Sequence, residues 1–182
     1  VPEYVRISRL IRDIPEESII AGNKITNLRQ ILQNEKVRCR CIRCREIKNE
    51  EFRMKNLEFR IKKYKASEGI EYFLSYNDKK RDKLLAFLRL RIPAKNEKNF
   101  IPELQNAAMI RELHTYGTVI PVGRKSDATQ HLGLGKKLII EAEKIARKND
   151  VDKLAVISGV GVVEYYQKQG FKKSGLYLIK NL

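Results

Sequence analysis

A chain of 182 residues with 42% hydrophobic residues can bury one full core plus a smaller appendage, and is short for two full domains. Lysine and arginine number 38 against 22 acidic residues, and the formal net charge of +16 argues for a polyanionic partner, nucleic acid first and an anionic membrane surface second. A solvated, Lys- and Glu-rich surface of the heat-adapted kind is the competing explanation. No apolar run approaches the roughly 20 residues needed to cross a bilayer, and no signal-peptide pattern opens the chain, so the expectation is a cytoplasmic protein without a membrane partner. The 3 cysteines fall within one hexapeptide, an odd count at spacing too tight for a disulfide framework, which leaves thiols or metal ligands.

In chain order, the first segment mixes Val5, Ile7, Leu10 and Ile11 with arginines and breaks at Asp13-Ile14-Pro15. A short helix is predicted over Ile25 to Gln33, in a stretch too short to hold its own core. Residues 36–65 carry 12 Lys/Arg and 4 Asp/Glu, half of the whole excess charge. Leu57, Phe59 and Ile61 alternate with charged residues as in a strand with one face buried. Further strands are predicted at Glu71 to Tyr76 and Leu84 to Ile92, joined by a turn at Asn77-Asp78-Lys79-Lys80, and at Ala107 to Tyr116. The period then changes. Leu134, Leu138, Ile139, Ala142, Ile145 and Ala146 recur at helical spacing over Gly133 to Asn149. A strand at Leu154 to Ser158, a short helix at Val162 to Gln169 and a strand from Phe171 to Lys180 complete an α+β sheet with one parallel crossover.

The pattern Gln130-x-x-Gly133-x-Gly135 follows a strand and opens the long helix. Glycine lets the backbone approach a bulky anion, and a helix start offers unpaired N–H groups at its positive end. Lys136 and Lys137 add charge. A pyrophosphate suits such a turn, although a plain helix entry has similar odds on this pattern alone. Neither a dinucleotide Gly-x-Gly-x-x-Gly turn nor a triphosphatase phosphate loop is present.

Tyr165-Tyr166-Gln167-Lys168-Gln169-Gly170-Phe171, taken with that turn, resembles the GNAT acetyltransferase family. The resemblance implies an acyl-CoA N-acyltransferase fold, a mixed and mostly antiparallel sheet with two splayed parallel strands. It places acetyl-CoA against Glu112, Leu113, His114 and Thr115 on one strand, against Thr129, Gln130, His131, Gly133 and Gly135 in the turn, and against Tyr165 and Tyr166. Tyr166 stands where the family keeps the acid for the departing thiolate, and a phenol, neutral at pH 7, can donate to sulfur. Alternation puts Glu112 and His114 on one face, as candidate bases or water-orienting groups, with Leu113 on the other. Each also has a structural alternative: a strand-end hydrogen bond for Glu112 and His114, a core aromatic for the tyrosines.

Longer blocks narrow the resemblance. Ile110 to Gly117, Thr129 to Gly135 and Ala155 to Gly161, with Val5 to Arg9, Arg12 to Pro15, Gly22 to Arg29 and Ile42 to Glu46 ahead of them, resemble the Elongator catalytic-subunit family in an archaeal version. That family joins a radical-S-adenosylmethionine domain with an iron–sulfur cluster to an acetyltransferase domain, and modifies the wobble uridine (U34) of tRNA toward 5-carboxymethyluridine. The resemblance implies a C-terminal portion. Residues 1–35 would be the tail of the radical-SAM domain, 36–55 a basic, cysteine-rich zinc linker, and 56–182 the GNAT domain. The iron–sulfur cysteine motif and the S-adenosylmethionine site would lie in the remainder of the same full-length chain, so these residues would bind acetyl-CoA without completing the modification alone. Cys39-x-Cys41-x-x-Cys44 offers three soft ligands suited to zinc, with a fourth to be supplied elsewhere; an iron–sulfur cluster and free thiols are the alternatives. The alternative function is a protein-lysine or small-amine N-acetyltransferase, sharing the cofactor site and needing a base near Glu112.

Overall fold

Three long antiparallel strands, β1 (Leu57–Ala66), β2 (Gly69–Asp78) and β3 (Lys83–Ile92), pair in register as a meander, and β4 (Ala107–Thr115) adds antiparallel to β3. The computed structural model describes residues 1–10, 15–22, 24–25, 27–48, 54–94, 99–116 and 133–182. The chain divides into two units, Val1–Glu46 and Ile47–Leu182.

In the larger unit the sheet has seven strands in the order β1-β2-β3-β4-β5-β7-β6. β5 (Lys153–Val156) runs parallel to β4, whereas β6 (Lys172–Ser174) and β7 (Tyr177–Asn181) form a hairpin whose β7 is antiparallel to β5. The α+β GNAT-type sheet expected from the sequence is therefore the one observed. The parallel pairing stops at Ile110 and Val156, while β4 runs on to Thr115 without a β5 partner. This is the parting of strands that opens a site.

The long amphipathic helix, Leu134–Lys148, lies against β2, β3, β4 and β5 and buries Leu134, Leu138, Ile139, Ala142 and Ala146. They pack with Leu74, Leu88, Leu90, Ile110, Leu154, Val156 and Leu178 in one core. Glu143 on the same helix meets Lys180 of β7 at 2.6 Å.

Two differences from the sequence reading have physical causes. Asn77 and Asp78 belong to β2 rather than to the turn, because the buried Asp78 carboxylate accepts the N–H groups of Lys80 and Arg81 and caps the turn from the strand's end. The last strand is split, because Gly175 adopts a positive φ of 55° and reverses the chain between β6 and β7.

The smaller unit contains α1 (Leu28–Asn34) and a single turn, α2 (Ile42–Arg45). With those two named, the long helix is α3, and a short fourth helix, α4, spans Val163–Gln167. The N-terminal segment docks on α2 through Ile42 N–H to the Val5 carbonyl, Arg43 to the Ser8 carbonyl and an Arg6–Glu46 ion pair at 2.6 Å. Among the described residues, no helix is long and apolar enough to cross a membrane.

Candidate cofactor cavity and metal centre

A cavity of about 280 Å³ opens where β4 leaves β5. Leu113 and Thr115 from β4, Gly133, Gly135 and Lys136 from the start of α3, and Val162, Tyr165 and Tyr166 from the second helical segment line it. The β4 residues reach it because of a bulge. Leu90 pairs with Ile110 and Arg89 with Glu112, so Arg111 is the extra residue, and Ile110 and Leu113 share the α3 face although they are three apart.

The start of α3 is built for an anion. Gly133 holds a left-handed φ of 64° at the N-cap, with open space where a Cβ would stand and no side-chain cap. The first N–H groups of a helix have no intrahelical acceptor. The first turn has no acidic residue and instead carries Lys136 and Lys137, the wrong sign for the helix dipole unless a bound anion offsets them. Gly135 is needed for space rather than for φ: a Cβ there would lie 2.5 Å from the Tyr165 hydroxyl oxygen.

Tyr166 is 6% exposed and packs edge-on against Tyr165 at 5.4 Å and Phe171 at 5.5 Å. Burial, with a smaller contribution from Tyr165, pushes its phenol up from 10.0 to about 12. Burial also raises Tyr165. The arrangement puts a firmly held phenol proton and the uncapped start of a helix on one cavity.

Of the residues singled out from the sequence, Leu113, Thr115, Gly133, Gly135, Tyr165 and Tyr166 meet in this cavity. Glu112 and His114 are on the opposite face of β4. Glu112 sits 3.8 Å from Arg89, and His114 stacks on Phe87 at 5.1 Å. Thr129, Gln130 and His131 lie outside the described residues. Val162 was not singled out, although it stands three and four positions before the tyrosines, the spacing of one helical face.

The three cysteine Sγ atoms lie within 4.8 Å of one another, in the turn that opens α2. A tetrahedral zinc ion with Zn–S of about 2.3 Å holds its sulfurs roughly 3.8 Å apart, so the cluster fits that ion with small adjustment. Among the described residues the group consists of these three donors. Arg29 Nη1 donates to Cys44 Sγ at 3.1 Å, an outer contact that orients the ligand. Burial raises the Cys41 thiol, but N–H groups of Cys44 and Ile7 and the thiols of Cys39 and Cys44 outweigh it and bring it from 9.0 down to about 7. Cys44 is pushed up to about 11 by burial and by its cysteine neighbours.

No family model matches the chain. A tRNA uridine(34) acetyltransferase of Dehalococcoides mccartyi is 43% identical over 195 aligned residues, covering 100% of this chain and 41% of that protein. Elongator complex protein 3 of Danio rerio is 39% identical over 100% of the chain and 35% of its own length. A solved Elp3 of Methanocaldococcus infernus with an N-terminal deletion superposes with a TM-score of 0.82 at 39% identity, over 100% of this chain and 45% of that one. Over its whole length the chain is similar to one portion of tRNA uridine(34) acetyltransferases and Elongator complex protein 3. It spans about two-fifths of the length of these relatives.

One prediction arises from Gly135. Gly135→Ala is expected to weaken coenzyme A binding about tenfold or more, the scale of about 1.4 kcal/mol of overpacking. The ring carbon bearing the Tyr165 hydroxyl stands 3.6 Å from that Cβ position, an ordinary contact, so the hydroxyl alone is the obstacle. Tyr165→Phe is therefore expected to recover much of the loss in a double-mutant cycle read by calorimetry. Additive losses would show that the glycine acts through the backbone instead.

Proposed function

We propose that this chain is the acetyl-CoA-binding acetyltransferase portion of an enzyme that converts the wobble uridine of tRNA to 5-carboxymethyluridine. The observation that carries the reading is the cavity between the parted strands, with the glycine-bounded start of α3 on one side and Tyr166 on the other. The α3 N–H groups with Lys136 and Lys137 hold the pyrophosphate, and Thr129, Gln130 and His131 extend that grip. The pantetheine arm runs along β4 past Leu113 and Thr115. Tyr166 delivers a proton to the departing sulfur. Glu112 and His114, across β4, act toward the acceptor side.

Residues 1–35 are assigned to the end of a preceding radical-SAM domain, whose iron–sulfur cluster and S-adenosylmethionine supply the radical chemistry. Residues 36–55 form a zinc-bearing linker with Cys39, Cys41 and Cys44 as ligands, and the basic stretch around Arg38 to Lys65 holds tRNA phosphates. A tRNA substrate places the enzyme in the cytoplasm.

The test is acetyl-CoA hydrolysis by the full-length parent, with and without tRNA. Hydrolysis is expected to rise when tRNA is added. Acetylation of a lysine peptide or small amine at rates indifferent to tRNA, and lost on changing Glu112, would replace this reading with that of a conventional N-acetyltransferase.

A further inference from the structure

A second cleft, of about 600 Å³, lies far from the cofactor cavity and shares no lining residue with it. Lys153, Lys172, Lys173, Ser174 and Asn181 line it, together with one acidic residue, Glu103. Lys153 opens β5 and pairs with Asn181 of β7, and Lys172 of β6 pairs with Ile179 of the same strand. The two lysines thus flank β7 from either side, roughly 10 Å apart at the usual interstrand spacing.

What distinguishes these lysines is that three of them line one cleft, unneutralised. Lys180 is held by Glu143, Arg111 by Glu71 and Arg81 by Asp78. Among the described residues, Lys153, Lys172 and Lys173 have no carboxylate partner. Glu103 is turned toward the hairpin tip, its Oε1 standing 2.5 Å from where a Cβ on Gly175 would be. Lys153 and Lys172, paired with Asn181 and Ile179, share one face of the sheet, with Lys173 beside them at the same edge, and a polyanion relieves the repulsion between such neighbouring cations. A serine hydroxyl and an asparagine amide in the same cleft are further phosphate donors.

We propose that this cleft is a docking site for the phosphodiester backbone of RNA. The proposal rests on the reading that the chain serves a tRNA-modifying enzyme. Lys153 pairs at the Ala107 end of β4, whereas the cofactor cavity lies toward Thr115 at the other end, about 25 Å away by strand rise. The cleft therefore positions the RNA without touching the reacting groups.

The test compares two triple variants of this chain with the same change in net charge. One is Lys153→Glu, Lys172→Glu and Lys173→Glu; the control is Lys79→Glu, Lys80→Glu and Lys148→Glu, all exposed in the fold. Binding to a labelled tRNA transcript and to an unstructured RNA of equal length is read by fluorescence anisotropy between 50 and 200 mM salt, an assay range on the order of that used to expose phosphate contacts. Each lost phosphate contact lowers the salt slope by roughly 0.7 to 0.9, so the cleft variant is expected to lose about 2 from the slope and the control little. A Lys172→Gln, Lys173→Gln double variant, confined to exposed positions, is expected to move in the same direction if the triple variant misfolds. Equal slope changes in cleft and control variants, a wild-type slope in both cleft variants, or no RNA binding by the wild-type chain would overturn the proposal. Cleft dependence with both RNAs, in an enzyme whose acetyl-CoA hydrolysis ignores tRNA, would keep the cleft and remove the tRNA reading. Stimulated hydrolysis with unchanged slopes would do the reverse.

Discussion

Tyr166→Phe is expected to slow thioester cleavage by about 10²- to 10⁴-fold, the usual contribution of a positioned general acid, with coenzyme A affinity nearly unchanged. The two effects separate because different groups carry them. Affinity is expected from the α3 start and the cavity walls, which the substitution leaves in place, and phenylalanine keeps the edge-on packing against Tyr165 and Phe171. Single-turnover thiol release by the full-length parent, beside calorimetry with coenzyme A, reads both. Weaker binding with unchanged cleavage per bound molecule would make Tyr166 a wall of the channel and not its acid.

The same residue has a pH signature. Its phenol titrates at about 12 in the folded chain, because burial and Tyr165 disfavour the anion, against 10.0 ordinarily. The folded state therefore holds this proton more tightly than the unfolded state. Its contribution to stability is complete below the unfolded value and is lost as pH rises from about 10 to about 12. The phenol is thus protonated at every working pH, and the Phe variant is expected to lack that alkaline loss of stability.

How much of this could be read from the residues depends on whether the pattern repeats. The helix from Leu134 to Lys148 was legible because its apolar face recurs over four turns, and the strands because their apolar runs are long. The bulge at Arg111 was not. One inserted residue leaves strand composition unchanged yet decides that Leu113 joins Ile110 against α3 while Glu112 and His114 face away. The break at Gly175 falls at a Ser-Gly pair, a turn signal that a single strand from Phe171 to Lys180 passes over. The lysines of the second cleft come from β5 and β6, which only the strand order brings together around β7. In the cofactor cavity the glycines and tyrosines could be named in advance because each has a chemical reason to be there. Val162 could not, since it contributes only apolar wall.

Removing zinc is expected to unfold Val1–Glu46 while leaving the sheet intact. A unit of this size has too little interior to hold itself together by burial alone. Among its described residues the buried apolar side chains are Cys41 and Ile42. Its ion pairs, such as exposed Arg40 with buried Glu3 at 3.1 Å, set Coulomb attraction against the cost of desolvating the carboxylate and add little net stability. A structural zinc ion contributes far more, about 10 to 16 kcal/mol apparent in zinc-finger peptides, and couples metal binding directly to folding. The ion would tie α2 to the N-terminal segment that already donates the Ile7 N–H to Cys41, and Arg29 would tie α1 to Cys44. Excess chelator should therefore erase amide-exchange protection over Leu28–Asn34 and Ile42–Arg45 and leave Leu134–Lys148 protected. Cys41→Ser should reproduce that loss without chelator, since two thiolates cannot close a tetrahedral site. Protection that survives in metal-free protein would show that hydrogen bonds alone hold this unit, and would leave the three cysteines as ordinary thiols.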